Sequence, residues 1–156
     1  MRLRLIALLL AGVAGCGTQP ATDGGRDEEP ALSFEETLNA AEQGNADAQF
    51  ALGHLYYHGR GVPKDLVEAA KWYRKAAEQG HASAQHTLGD VYHRGDGVPK
   101  DDVETCAWCS VAATNGDSYA RKYLPKAKAR LTPEQLVAAQ KRATELIEQL
   151  SANKGK

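Results

Sequence analysis

The sequence predicts an all-α protein: an α/α superhelical solenoid of stacked helical hairpins, closed by one longer C-terminal helix. Three observations carry that expectation. Residues 40–79 recur over residues 76–115 at a constant offset of 36, with about 22 of the 40 aligned pairs identical. Within each copy, apolar residues return at helical spacing. Each copy is split by the same breaker, Gly59-Arg60-Gly61-Val62-Pro63 and Gly95-Asp96-Gly97-Val98-Pro99. A fixed period of this length marks units that cannot bury their apolar face alone and must stack.

Taken in order, residues 1–15 place Arg2 and Arg4 before an apolar run too short to cross a bilayer as a helix, the make-up of a secretory signal. Residues 16–32 read as a tether, with Gly24, Gly25, Pro20, Pro30 and the acidic run Asp27-Glu28-Glu29 and no aromatic residue. Such a coil spans roughly 20 Å. Residues 33–45 open on Ser33 and Glu36, spaced as a capping box, and close at Gly44 as an N-terminal capping helix. Repeat 1, residues 46–81, is a helix over 46–58, a turn, and a second helix over 66–79 started by Asp65. Ala69, Trp72, Tyr73, Ala76 and Ala77 face its interior. Repeat 2, residues 82–117, copies this with helices over 82–94 and 102–115. Small residues such as Ala48, Gly53, Ala84 and Gly89 let helix axes approach to roughly 8 Å. Residues 118–150 hold a partial repeat, whose helix Pro125 ends or kinks, and a capping helix. That last helix starts at the box Thr132-Pro133-Glu134-Gln135 and runs to about Leu150. Its apolar face is Leu136, Ala139, Ala143, Leu146, Ile147 and Leu150. Residues 151–156 are expected to be a disordered tail.

The formal net charge of −1 argues against nucleic acid as the main partner. Acidic residues dominate residues 18–47, whereas 121–156 carry nine basic residues and three acidic ones. That basic end reads either as a solvated surface or as a docking face for an anionic partner.

The blocks A-x-A-Q-x-x-L-G (Ala46–Gly53, Ala82–Gly89), Y-x-x-G-x-G-V-P-K-D (Tyr56–Asp65, Tyr92–Asp101) and the W-Y-x-K-A-A-E-Q-G stretch from Trp72 to Gly80 resemble Sel-1-like repeats, relatives of the tetratricopeptide repeat. The resemblance runs from about Phe34 to Leu124. It implies a right-handed stack that binds other proteins, often in envelope assembly, secretion or host contact, with no shared catalytic residue and no cofactor. Val13-Ala14-Gly15-Cys16 resembles the lipobox of bacterial lipoproteins. That likeness implies lipidation of Cys16 and, with Gly17 next, an anchor in the outer membrane facing the periplasm. Two or three buried acyl chains at about 0.8 kcal/mol per methylene hold almost irreversibly.

Positions that differ between the repeats while facing outward are the candidates for partner binding: Phe50, His54, Tyr57 and His58 on one first helix, His86, Asp90, His93 and Arg94 on the other. Stacking sets His54 beside Asp90 and Phe50 beside His86. His54 with His58, and His86 with Asp90, have the i, i+4 spacing of metal ligands. No Glu follows His54 as a metalloprotease helix requires, and no metal site is assigned. Cys106 and Cys109 are C-x-x-C but fall inside a helix, at the places of Ala70 and Tyr73, rather than at a helix start where a redox thiol sits. They are packing thiols first, a disulfide second, and redox or metal groups last. Some secreted relatives with two cysteines in every repeat are linked to β-lactam binding or hydrolysis. Repeat 1 lacks cysteine, so binding or hydrolysis of β-lactams or peptidoglycan fragments stands as the alternative to a scaffold, with no catalytic residue to assign.

Overall fold

The computed structural model describes residues 33–153; Cys16, the signal, the tether and the last three residues lie outside them. The described residues form seven helices and no strand: α1 (Phe34–Glu42), α2 (Ala46–His58), α3 (Leu66–Glu78), α4 (Ala82–Arg94), α5 (Asp102–Thr114), α6 (Ser118–Lys128) and α7 (Pro133–Asn153). From α1 to α6 each helix packs on the next. α7 folds back onto α5.

Local chemistry sets these boundaries. Ser33 and Glu36 exchange the two bonds of a capping box, and Thr132 and Gln135 do the same ahead of α7. Asp65 and Asp101 each accept from two backbone N–H groups at the start of α3 and α5. Asn45, His81 and Asp117, again 36 apart, accept from Ala48, Ala84 and Ala120 and open α2, α4 and α6. The 36-residue register therefore continues into α6, which is the first helix of a third, partial repeat. Gly59 and Gly95 end α2 and α4 in the left-handed region, at φ of 68° and 76°.

Leu52 and Leu88 occupy matching interior slots, both fully buried, each contributing roughly 1.5–3 kcal/mol. Tyr73, Trp108, Val111 and the alanines of α3 and α5 fill the main core, and Ala143, Leu146 and Leu150 of α7 close over it. Gly53 and Gly89 are where first and second helices touch. A Cβ on Gly53 would lie 2.6 Å from the Tyr73 ring, and one on Gly89 would lie 2.9 Å from Cys109 Sγ. Two buried glutamines lock repeat to repeat. Gln49 Nε2 donates to the Ala41 carbonyl at 3.0 Å and Gln85 Nε2 to the Ala77 carbonyl at 3.0 Å. Each in turn accepts from the end of the following second helix, Gln79 and Asn115.

Three expectations are corrected. Pro125 does not end α6, which runs on to Lys128. The missing N–H orphans the Arg121 carbonyl, and both residues are exposed, so water can satisfy it. α7 extends three residues beyond Leu150, taking in part of the expected tail, because Leu150 is itself buried and anchors the last turn. Ile147 is 39% exposed and sits at the edge of the α7 face rather than in the core.

Candidate partner-binding face

The repeat-variable residues share one side of α2 and α4, and none of them is fully buried. Their positions follow from the register. Leu52 and Gly53 must point at α3, so residues 50, 54, 57 and 58 are turned away from the tightest contact. Phe50 packs edge-on to His54 (ring centroids 4.6 Å) and lies 4.7 Å from His81 and 5.8 Å from Tyr73. His54 stacks parallel to His58 at 6.0 Å and meets the Tyr73 ring edge-on at 5.4 Å. His54, Tyr57, Tyr73, Asp90, Arg94 and Asp96 line one cleft of about 250 Å³, so His54 and Asp90 do face the same space. Phe50 and His86 take different ring partners: Phe50 meets His81, the N-cap of α4, and His86 lies 4.4 Å from Tyr119 of α6.

Electrostatics divides the face. Asp90 is held by Arg94 at 2.9 Å. The Tyr57 hydroxyl donates to Asp96 Oδ2 at 2.9 Å, which raises the phenol pKa. Burial pushes the His54 pKa down, and the nearby His58 and Arg60 push it further, so this imidazole is neutral at neutral pH. His93 lies 3.1 Å from Asp102 and is also bonded by Arg130, so it bridges α4, α5 and the α6–α7 turn. Tyr57 and His93 are thus partly spent on repeat-to-repeat contacts. Phe50, His54, His58 and His86 stay available to a client.

The structure leaves both Cys106 and Cys109 as buried free thiols rather than a disulfide. Cys109 lies against Gly89 in the slot that Tyr73 takes against Gly53. Burial pushes its thiol up to about 12 and raises that of Cys106, the opposite of a reactive thiolate. Among the described residues no group of three or more His, Cys, Asp or Glu could hold a metal ion. Sequence reading missed Tyr119, Tyr123 and Arg130. The signal was present: Ala120 and Leu124 continue the series Ala48, Ala84 and Leu52, Leu88, which places α6 on the same face.

Residues 46–81 and 82–117 each match the Sel1 repeat. The chain is 39% identical over 76 residues to the secretory immunoglobulin A-binding protein EsiB of Escherichia coli O6:H1, covering 49% of this chain and 14% of that protein. It is 44% identical over 60 residues to the chitin synthase regulator SKT5 of Saccharomyces cerevisiae, covering 38% of this chain and 8% of that one. Among solved structures, a protective antigen of uropathogenic Escherichia coli with an SLR fold superposes with a TM-score of 0.74 at 38% identity, over 77% of this chain and 26% of that one. A Sel1 repeat protein from Oxalobacter formigenes gives 0.58 at 42% identity, over 60% and 27%. The matched region spans only a small part of each relative.

Proposed function

We propose that this chain, a Sel-1-like repeat protein, is a lipid-anchored adaptor of the bacterial envelope that captures another protein on the open side of α2 and α4. Sel1 repeat proteins mediate protein–protein interaction and are mostly scaffolds without catalytic activity. One observation carries the reading for this chain. On α2 and α4 the shared Ala, Gln, Leu and Gly of each repeat are consumed by the core, while the differing residues Phe50, His54, Tyr57, His86, Asp90 and His93 stand half-exposed together, rich in aromatic and imidazole rings. Aromatic side chains supply large contact area at small entropic cost, which suits protein recognition. The likeness to an immunoglobulin-binding relative supports a protein client. The V-A-G-C run at Cys16 supports the anchor, in the outer membrane facing the periplasm.

A photo-crosslinking amino acid at position 54 should trap a discrete partner in intact cells, and one at Lys71, exposed on α3, should not. Equal yields from both positions would refute the face. For the anchor, Cys16→Ser should abolish labelled-palmitate incorporation and release the chain from the membrane fraction; unchanged labelling would refute lipidation.

A further inference from the structure

Helix α6 carries no acidic residue but holds Arg121, Lys122, Lys126 and Lys128, and Arg130 follows in the turn. Within α6, Tyr119, Lys122, Tyr123 and Lys126 recur at three- and four-residue steps, which puts them on one side. That side adjoins α4. Tyr119, 60% exposed, lies 4.4 Å from His86, Tyr123 lies 6.3 Å from His93, and the two tyrosines stack at 6.5 Å. Arg130 holds the Tyr123 hydroxyl at 2.9 Å and sits 6.0 Å over its ring. Among the described residues no carboxylate forms an ion pair with Lys122, Lys126 or Arg130; the nearby Asp90 and Asp102 are engaged by Arg94 and His93. The result is a cationic stripe laid beside an aromatic one, continuous with the face of α2 and α4.

Spacing names the ligand. Lys122 and Lys126 are one turn apart, about 6 Å along the helix, and Arg130 carries the series into the turn. Side chains on one face of an extended peptide recur every second residue, about 6.5–7 Å apart. We infer that this stripe docks an extended acidic segment of the client protein, with carboxylates at alternate positions meeting Lys122, Lys126 and Arg130 and the same-face residue just before the first of them resting on Tyr119 and His86. The inference rests on the protein-capture reading above and adds the chemistry of what is captured. A single strand fits better than a bilayer surface, because the aromatic rings lie on one side of α6 only, between two helices. A membrane would draw equally on Arg121 and Lys128 on its other side.

The test is fluorescence anisotropy of the full chain in detergent with a labelled peptide that bears three glutamates at alternate positions and a phenylalanine two residues before the first of them, on the same face. Binding should saturate, weaken as salt rises, and fall about tenfold or more in Lys122→Glu with Lys126→Glu. Both residues are exposed, and far-UV circular dichroism should show the helices intact. A peptide of the same composition with its glutamates in one block should bind less well. Unchanged affinity in the double variant, or equal affinity for the block peptide, would overturn the inference. So would tighter, Lys122-dependent binding of Cys16→Ser chain to phosphatidylglycerol vesicles, which would assign the stripe to a membrane. Crosslinks from position 54 that survive the double variant would remove the acidic segment alone. Absence of crosslinks in the parent chain would remove protein capture itself.

Discussion

Gly61 and Gly97 sit at equivalent places in the two turns with nearly the same backbone, φ +72° and +75°, yet their surroundings differ. A Cβ on Gly61 would find only the Phe34 Cβ at 3.5 Å, an ordinary contact. One on Gly97 would lie 2.1 Å from the Leu66 carbonyl oxygen and 2.3 Å from its carbon. The repeat 2 turn is pressed against the start of α3, and the obstacle is backbone that cannot rotate away. Gly61→Ala should therefore cost only the left-handed strain of an L-residue, about 1–2 kcal/mol. Gly97→Ala adds overpacking of about 1–3 kcal/mol or more. Asparagine, which tolerates the left-handed region, separates the two causes: Gly61→Asn should be close to neutral and Gly97→Asn still costly. Urea melts followed by far-UV circular dichroism read the difference, with slopes compared so that a change in cooperativity is not mistaken for one in stability. Each kcal/mol should also move Tm by about 3–6 °C for a chain of this size. Equal midpoints for the two alanine variants would refute the claim that the repeat 2 turn is locked onto α3.

Further outcomes follow from the same contacts. Gln85→Leu strips the Ala77 carbonyl and the Asn115 amide of their partner and should lower stability by about 1–3 kcal/mol, read by the same melts. Cys106 and Cys109, protonated and buried, should resist iodoacetamide in the native chain and react once denatured; rapid native labelling of both would contradict the packing. His54 should make stability fall in mild acid. Above its ordinary value of 6.5 both native and unfolded imidazoles are neutral, so nothing changes. As pH drops through that value the unfolded chain takes up a proton that the native site resists, and stability declines until the lowered native pKa is passed. His54→Gln should flatten that slope, and an unchanged slope would locate the proton elsewhere.

The starts of the helices and the ends of α2 and α4 were legible because they are written in local chemistry. The glycine pairs, Asp65, Asp101 and the Ser33–Glu36 box act within a few residues of themselves. What failed was what depends on distant neighbours. Pro125 looks like a stop by its own chemistry, but its orphaned carbonyl faces water. Ile147 has the right spacing for the α7 core, but α7 crosses α5 in a way that leaves it at the edge. The glutamines of the A-x-A-Q blocks were visible as repeated letters, and their partner is a carbonyl eight residues back, on the preceding helix. Phe50 and His86 are equivalent by register, yet His81 intervenes because it is drawn in as the cap of α4.

The differing caps Asn45, His81 and Asp117, which each accept from the same position three residues on, show how the face can vary without loosening the stack. The locks between repeats are Gln49 and Gln85 on the preceding carbonyls and Gly97 against the Leu66 backbone; the glutamines and the glycine are the same in both repeats, and the Leu66 contact is to main chain that any residue supplies. Where variable residues do take part, their partners change with them. Tyr57 reaches forward to Asp96, and the equivalent His93 reaches forward to Arg130, each bridging its own first helix to the turn of the following unit. In a stack where each unit touches mainly its neighbours, such paired changes are the ones that leave stability untouched while altering the surface. The positions with no forward partner, His54, His58 and the lysines of α6, are therefore free to be set by the client alone. Exchanging Tyr57 and Asp96 together for His and Arg should cost less than the sum of the single changes, and additive losses would show that the forward contact does not bind the repeats.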